Sequence, residues 1–443
     1  MEEYRDILSK LVSFKSISTN DNFIEDIEYI VNFLEKLFRQ IGFSVEIIRG
    51  YSNPILYASY VVDESYKTAL IYGHYDVQPA SIEDGWDSEP FELIEKDNRF
   101  YARGVADNKG QFLIYLVTIT NLIKTNNLKY NIKFIIEGNE ESGSPNLGKF
   151  LEDYKDTLKS DFVLFSDGEL TSGVPTIDIG FRGVLNLTLT IQTSHKDNHS
   201  GLYGGAVPNP VAIFADIVSK IYKNNILCLP NLKNSIEDIR SLSTTYGFDQ
   251  TIKNIPFSEI EFLQNTGAKT RLNKDLLNFY FQVGYFTSAE VTGLVSGYTG
   301  EGYKNAIPGK LIAKINFRIS PFHSVKEVLL SFEKFLQQSV PNYVDYKIDA
   351  SNESVDPIII EKNNEYIQKA VEDIRKTYNL NPSLKFSGAI VPICGLFQTN
   401  LGINKIISVG IANEDCNMHG ANENLSVSSI ANAIKFAELF LST

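Results

Sequence analysis

Between residues 69 and 166 short apolar runs alternate with helix-like stretches, and that alternation constrains the fold more than any other feature of the chain. ALIYG (69–73) is followed by QFLIYLVTITNLI (111–123), IKFIIEG (132–138), NLGKFLEDYKDTL (146–158) and FVLFS (162–166). Strand-sized apolar runs need cover on both faces, and helices between them supply it. The pattern therefore predicts an α/β fold, β-α-β units around a mostly parallel sheet with flanking helices. An amphipathic helix precedes them, because Ile27, Ile30, Val31, Leu34, Leu37 and Phe38 recur at helical spacing within Asn22 to Ile41. The same pattern resumes late, with a helix at 363–378, the strand KIISVG (405–410) and a final helix from about Ser426.

Near Arg182 the period changes. VLNLTLTIQ places Leu185, Leu187, Leu189 and Ile191 on one face and Asn186, Thr188, Thr190 and Gln192 on the other. Such strict alternation belongs to a sheet wet on one side. LIAKINFRIS (311–320) repeats it with Lys314, Asn316 and Arg318 on the polar face. Two helices accompany these strands, one opening at PNP (208–210), the other SVKEVLLSFEKFLQQ (324–338). With 443 residues, more than one ordinary core accommodates, the chain reads as an α/β catalytic domain in two parts, 1–181 and 352–443, around an inserted α+β domain at 182–351. The polar, irregular stretch 228–275 is expected to be a long excursion of that insert.

A formal net charge of −13 repels phosphate backbones and anionic bilayers, so neither nucleic acid nor a membrane is an expected partner. MEEYRDILSK offers no basic and apolar leader, and no apolar run approaches transmembrane length. Cys228, Cys394 and Cys416 are isolated, which suits a reducing compartment. A cytoplasmic protein is the expectation.

The chemistry-bearing residues cluster at strand ends. ALIYG runs into His74-Tyr75-Asp76, FVLFS into Asp167, FIIEG into Glu140-Glu141, and KIISVG leads to a loop with His419. YARGVADNKG adds Asp107 in a glycine-flanked turn before a helix. Alone, Asp107 fits a helix N-cap, Asp167 a turn and His419 a loop histidine. Together, two imidazoles and three carboxylates along the edge where open α/β sheets bind ligands suit two closely spaced divalent ions. Adjacent residues at a strand end point in different directions, so Glu140 and Glu141 are able to take different roles.

With those residues in view, the chain resembles the co-catalytic dizinc metallopeptidase family of aminoacylases, carboxypeptidase G, succinyl-diaminopimelate desuccinylase and carnosinase-type dipeptidases. The matching segments span nearly the whole chain: GHYDVQPA (73–80), GWDSEPFEL (85–93), YARGVADNKG (101–110), EGNEESGS (137–144), SDG (166–168), HSGLYGGAVPNP (199–210), GYTGEGYKNAIP (297–308), NFRISP (316–321) and HGANE (419–423). GHYDVQP, GWDSEPF and HSGLYGG look most like the dipeptidase branch.

The resemblance implies two divalent ions per chain, zinc first, with manganese or cobalt as alternatives. Asp107 would bridge them, His74 and Asp167 would complete one site, and Glu141 and His419 the other. Asp76 would hold the His74 ring, and Glu140 would be the general base. His199 would reach a partner subunit's site and stabilise the oxyanion, which implies a homodimer through the insert. Arg318 would grip the substrate's free carboxylate, Asn305 would hydrogen-bond the substrate, and Gly388 would line the same pocket. Lys109 reads as structural. The chain departs from the dipeptidase pattern at FSGAIVP (386–392), where Phe386 and Ile390 stand at the usual arginine and serine positions. Asn108 replaces the second aspartate of a common Asp-Asp-Lys-Gly turn. The expected activity is metal-dependent hydrolysis of dipeptides or short peptides. N-acyl-amino-acid deacylation or desuccinylation on the same site is the alternative, and a non-catalytic interaction protein a second.

Overall fold

The computed structural model describes residues 1–171, 173–245, 255–352, 354–388 and 392–443. Its larger sheet runs Ser44–Ile48, Ile55–Tyr60, Asn131–Glu137, Thr68–His74, Phe162–Phe165, Ile406–Gly410, Thr176–Phe181, Ile358–Ile359, with Ser383–Ser387 also paired to Thr176–Phe181. The four central strands, from Asn131–Glu137 to Ile406–Gly410, are mutually parallel, and antiparallel pairs flank them. Parallel strands end on the same edge, so His74 and the segments carrying Glu140, Asp167 and His419 all leave the sheet there.

Helices cover both faces. Lys109–Lys124 is buried almost all round, packed by Glu2–Val12 and Val427–Ser442. Ile24–Ile41 buries Ile27, Ile30, Val31, Leu34 and Phe38, each contributing about 1.5–3 kcal/mol, and ends on Gly42 in the left-handed region.

A second sheet, wholly antiparallel, is ordered Ser288–Ser296, Lys310–Ile319, Gly183–Gln192, Asp345–Ala350. Its alternating apolar face, Leu185, Leu187, Leu189 and Ile191 beside Leu311, Ala313, Ile315 and Phe317, packs on the helices Pro210–Ile221 and Val325–Ser339. Both helix starts follow from the sequence. Asn209 accepts the Val211 N–H ahead of a first-turn proline, and Ser324 with Glu327 forms a reciprocal capping box.

The stretch read as irregular contains two helices, Ile236–Thr245 and Glu259–Thr266. Ser258 caps the second and a left-handed Gly267 ends it, signals hidden among polar residues. Residues 246–254 of that stretch lie outside the described residues. A separate apolar cluster of Ile179, Ile239, Leu277, Phe281, Tyr285, Phe286 and Phe386 ties the excursion to the larger sheet. No helix among the described residues is long and apolar enough to cross a membrane.

Candidate metal centre

His74 closes the buried strand Thr68–His74 and is itself 0 % exposed. Its Nδ1 lies 3.1 Å from the main-chain carbonyl of Asp76, which accepts a ring proton there. The Asp76 carboxylate, expected to hold that ring, stands farther off at 3.4 Å. It accepts instead the main-chain N–H groups of Glu140 (3.2 Å) and Glu141 (3.1 Å). Asp76 thus pins the turn Glu140–Ser142 that presents both glutamates, closed by Gly143 in the left-handed region.

Asp107 sits in a loop that doubles back tightly enough to require glycine. A Cβ on Gly110 would lie 1.9 Å from the Val105 carbonyl oxygen. The Asp107 oxygens divide between the two histidines: Oδ1 is 3.0 Å from His74 Nε2 and Oδ2 is 2.8 Å from His419 Nε2. Asp167 Oδ2 lies 3.8 Å from His74 Nε2, and Glu141 Oε2 lies 3.2 Å from His419 Nε2. The ligand atoms of His74, Asp107 and Asp167 fall within 4.8 Å of one another, as do those of Asp107, Glu141 and His419. The five residues anticipated as ligands therefore form two triads sharing Asp107.

Sequence reasoning assigned no role to several supporting residues. The amide of Asn108 donates to the Ser166 carbonyl (2.7 Å) and to Asp167 Oδ1 (3.0 Å), work an aspartate would not do. Gln78 donates to Glu141 Oε2 at 2.7 Å. Glu423, wholly buried, accepts the N–H groups of Gly104, Ala106 and Asp107 as well as Arg103 Nη1. Arg103 Nη2 donates to the His419 and Gly420 carbonyls. One ion pair thereby joins the Asp107 loop to the His419 loop. The signal was present in the HGANE and YARGVADN segments, but sequence does not show which carboxylate is buried.

The electrostatics of this cluster call for cations. Among the described residues no lysine or arginine forms an ion pair with Asp107, Asp167, Glu140 or Glu141. Burial opposes charge on His74, yet Asp107 and Asp76 outweigh it and hold the ring protonated well above the usual imidazole range. His419 is pushed up to about 10 by Asp107 and Glu141. Asp107, despite burial, is held below the usual carboxylate range by the two imidazoles. Burial, reinforced by Asp107, pushes Asp167 up to about 7. Burial also lifts Glu140 well above its ordinary value; His74 opposes the rise, while Asp167, Asp107 and Asp76 add to it. Protons are compensating a site with too many carboxylates. His74 Nε2 makes no hydrogen bond although buried and near Asp107. Divalent ions would take the place of those protons, and a set of imidazole and carboxylate donors fits them.

The chain matches the model of Peptidase family M20/M25/M40 over residues 70–443. It belongs to that family. As a member it is a metal-dependent hydrolase of the peptidase class. Similar relatives of this M20 protein include the Cys-Gly metallodipeptidase DUG1 of Candida albicans, 27% identical and aligned over 97% of this chain and 92% of that one. The Beta-Ala-His dipeptidase of Mus musculus is 28% identical, over 88% and 79% of the two chains. Among solved structures, the M20 family metallo-carboxypeptidase Sso-CP2 from Sulfolobus solfataricus superposes with a TM-score of 0.81 at 28% identity, covering 100% of this chain and 99% of that chain.

The remaining anticipated residues of this M20 chain lie outside the triads. The exposed His199 lies opposite Ala306 on a two-residue ladder, and beside it the Asn305 carbonyl accepts the Ser200 N–H. His199 Nδ1 accepts the Gly201 and Leu202 N–H groups, so the ring proton resides on Nε2, facing outward as a donor. Arg318 stands on the polar face of Lys310–Ile319. The Gly388 carbonyl accepts from Arg182. Phe386, at the usual arginine position, is buried in the cluster with Tyr285, so no cation is presented there; Ile390 lies outside the described residues.

Proposed function

We propose that this M20 peptidase hydrolyses dipeptides at a site where His74, Asp107, Asp167, Glu141 and His419 hold two divalent ions. The observation that carries the reading is the pair of donor triads sharing Asp107, with His74 Nε2 buried in one of them and without a hydrogen bond among the described residues. Relatives described as Cys-Gly and Beta-Ala-His dipeptidases, aligned over most of their length, support dipeptides as the substrate class. Zinc is the first expectation, and manganese or cobalt suits the same donors.

Bound there, the ions supply Lewis acidity and bring the pKa of a water down towards about 7. Glu140 receives the proton of the attacking water on its carboxylate and returns one to the departing amine. Its side chain makes no hydrogen bond among the described residues, and Asp76 fixes its main chain, so the carboxylate is aimed but uncommitted. His199 donates from Nε2 to the developing oxyanion, Arg318 clamps the terminal carboxylate, and Asn305 and Gly388 contact the substrate.

The division into 1–181, 182–351 and 352–443 belongs to this reading, supported by Thr176–Phe181 and Ile358–Ile359 pairing in the larger sheet around strands that form their own. So does a homodimer through 182–351, in which the exposed Val291, Leu294 and Val295 of the edge strand Ser288–Ser296 offer an apolar contact. Three unpaired cysteines accord with a cytoplasmic, reducing setting.

The test is metal analysis followed by a two-substrate comparison. About two equivalents of a divalent ion, dipeptide hydrolysis lost on chelation and regained with zinc, manganese or cobalt, is the expected result. Full activity in a metal-free preparation, or turnover of N-acyl amino acids alone, overturns it.

A further inference from the structure

Two arginines lie near one another in the chain's passage between the two sheets. Arg182 follows the strand Thr176–Phe181 and immediately precedes Gly183–Gln192. In the ladder between Gly183–Gln192 and Lys310–Ile319, Arg318 pairs with Val184. Arg182 stands two residues before Val184, at the break between the two strands, where its N–H donates to the Ser387 carbonyl and the charge of Arg318 reaches it.

Both side chains are partly buried. Arg318 makes no hydrogen bond or ion pair among the described residues, and Arg182 reaches only the Gly388 carbonyl, at 3.3 and 3.4 Å. Burial and then the charge of Arg318 bring the Arg182 pKa down to about 10. Glu290, opposite Asn316 on the neighbouring strand Ser288–Ser296, is the carboxylate facing them. It is exposed and forms no ion pair with either. Two cations in partial burial repel one another and lose hydration, a cost that an anion seated between them reverses. A Cβ on Gly388 would stand 3.3 Å from Arg182 Nη2, narrowing the approach.

A single α-carboxylate on Arg318 would leave the second guanidinium uncompensated. Each planar fork matches one carboxylate bidentately. We propose that Arg182 and Arg318 form a two-arginine site for a dianionic carboxyl-terminal residue, with Arg318 taking the α-carboxylate and Arg182 the side-chain carboxylate of aspartate or glutamate. Arg182 is then the residue that selects the leaving amino acid. This rests on the dipeptidase reading above.

The experiment compares kcat/KM for Ala–Glu and Ala–Gln, with Ala–Ala as reference, in the wild type and in Arg182→Gln and Arg182→Lys. The expected Glu/Gln ratio is roughly tenfold or more in the wild type, near one in Arg182→Gln and intermediate in Arg182→Lys. A wild-type ratio near one, or a ratio unchanged in Arg182→Gln, overturns the assignment. So does an equal loss on both substrates, which would mean both arginines share one carboxylate. Should Arg182→Gln fail to fold, the wild type alone decides: glutarate should inhibit Ala–Ala hydrolysis about tenfold more strongly than butyrate, and equal inhibition overturns the proposal. If no dipeptide is hydrolysed at all, the dipeptidase reading fails instead. Thermal stabilisation by glutarate, present in the wild type and absent in Arg182→Lys, then still supports the anion site, and its absence from the wild type overturns it.

Discussion

Arg103 Nη1 lies 2.7 Å from Glu423 Oε2, with both side chains almost wholly withdrawn from solvent. The pair is 320 residues apart in sequence, and each member also binds the main chain of a ligand-bearing loop. Removing one partner strands the other as a buried charge. Glu423→Gln should therefore destabilise the metal-free protein by about 3–5 kcal/mol, whereas adding Arg103→Met, which removes the stranded charge while Gln still accepts from the main chain, should recover part of that loss. Chemical denaturation reads both. Chelator competition should show weaker metal binding in Glu423→Gln, since Gly104, Ala106 and Asp107 lose part of their acceptor. Unchanged stability and affinity would mean that the pair does not position the loops.

The twin glutamates separate by what they touch. Glu141 approaches His419 and Gln78, while the Glu140 side chain makes no hydrogen bond or ion pair among the described residues. Glu140→Gln should retain both metals and lose most turnover, and Glu141→Gln should weaken one metal site. Metal content by elemental analysis beside turnover distinguishes them. Equal metal loss in both variants would reverse or cancel the assignment.

How legible this was depends on the kind of residue. His74, Glu141, Asp167 and His419 could be gathered from sequence because each lies at or beyond the end of a strand whose parallel neighbours share its edge, and Asp107 because its turn is flanked by glycines before a helix. Alternation likewise gave the faces of Gly183–Gln192 and Lys310–Ile319. What periodicity does not encode is which of several polar atoms makes a contact. Asp76 was read only as a carboxylate on an imidazole; its carboxylate lies 3.4 Å from the ring, and the main-chain carbonyl nearer Nδ1 and the turn it holds at Glu140–Ser142 were not legible. Glu423 and Asn108 sat in quoted motifs without a role, because their burial depends on loops that meet only in the fold. The short helices at 236–245 and 259–266 were missed because their apolar stripe is thin and their caps look like ordinary polar residues.

A buried carboxyl next to this site makes stability fall with pH. Burial, with Asp76 adding, pushes Glu137 up to about 7, while its bonds from Tyr72 and Ser144 oppose the shift. The folded state therefore binds its proton more tightly than the unfolded chain does. Its contribution is fully present below about 4.5, the unfolded value, and is lost as pH rises through about 7, a change on the order of 3 kcal/mol. Denaturation of chelator-treated protein at pH 4.5, 6 and 8 should show that loss, and Glu137→Gln should flatten it. An identical slope in the variant would assign the effect to other groups.

His199 carries the most demanding expectation. The exposed His199 lies on the ladder Asn198–His199/Ala306–Ile307 of the inserted strands, whereas both donor triads are built from residues outside 182–351. Its Nδ1 is occupied by two main-chain N–H groups, which leaves Nε2–H as the donor for an oxyanion. Such a donor acts mainly in the transition state, so His199→Ala should lower turnover roughly 10²–10³-fold and change substrate binding less. If a second copy supplies the histidine, a mixed dimer of a His199→Ala chain and a Glu140→Gln chain contains one site with both residues intact. Each homodimer should be nearly inactive, and activity should return as the chains exchange. Native mass measurement establishes how much mixed dimer has formed. Abundant mixed dimer without recovered activity would place His199 within its own chain or outside the reaction, and would remove the functional reason for the dimer.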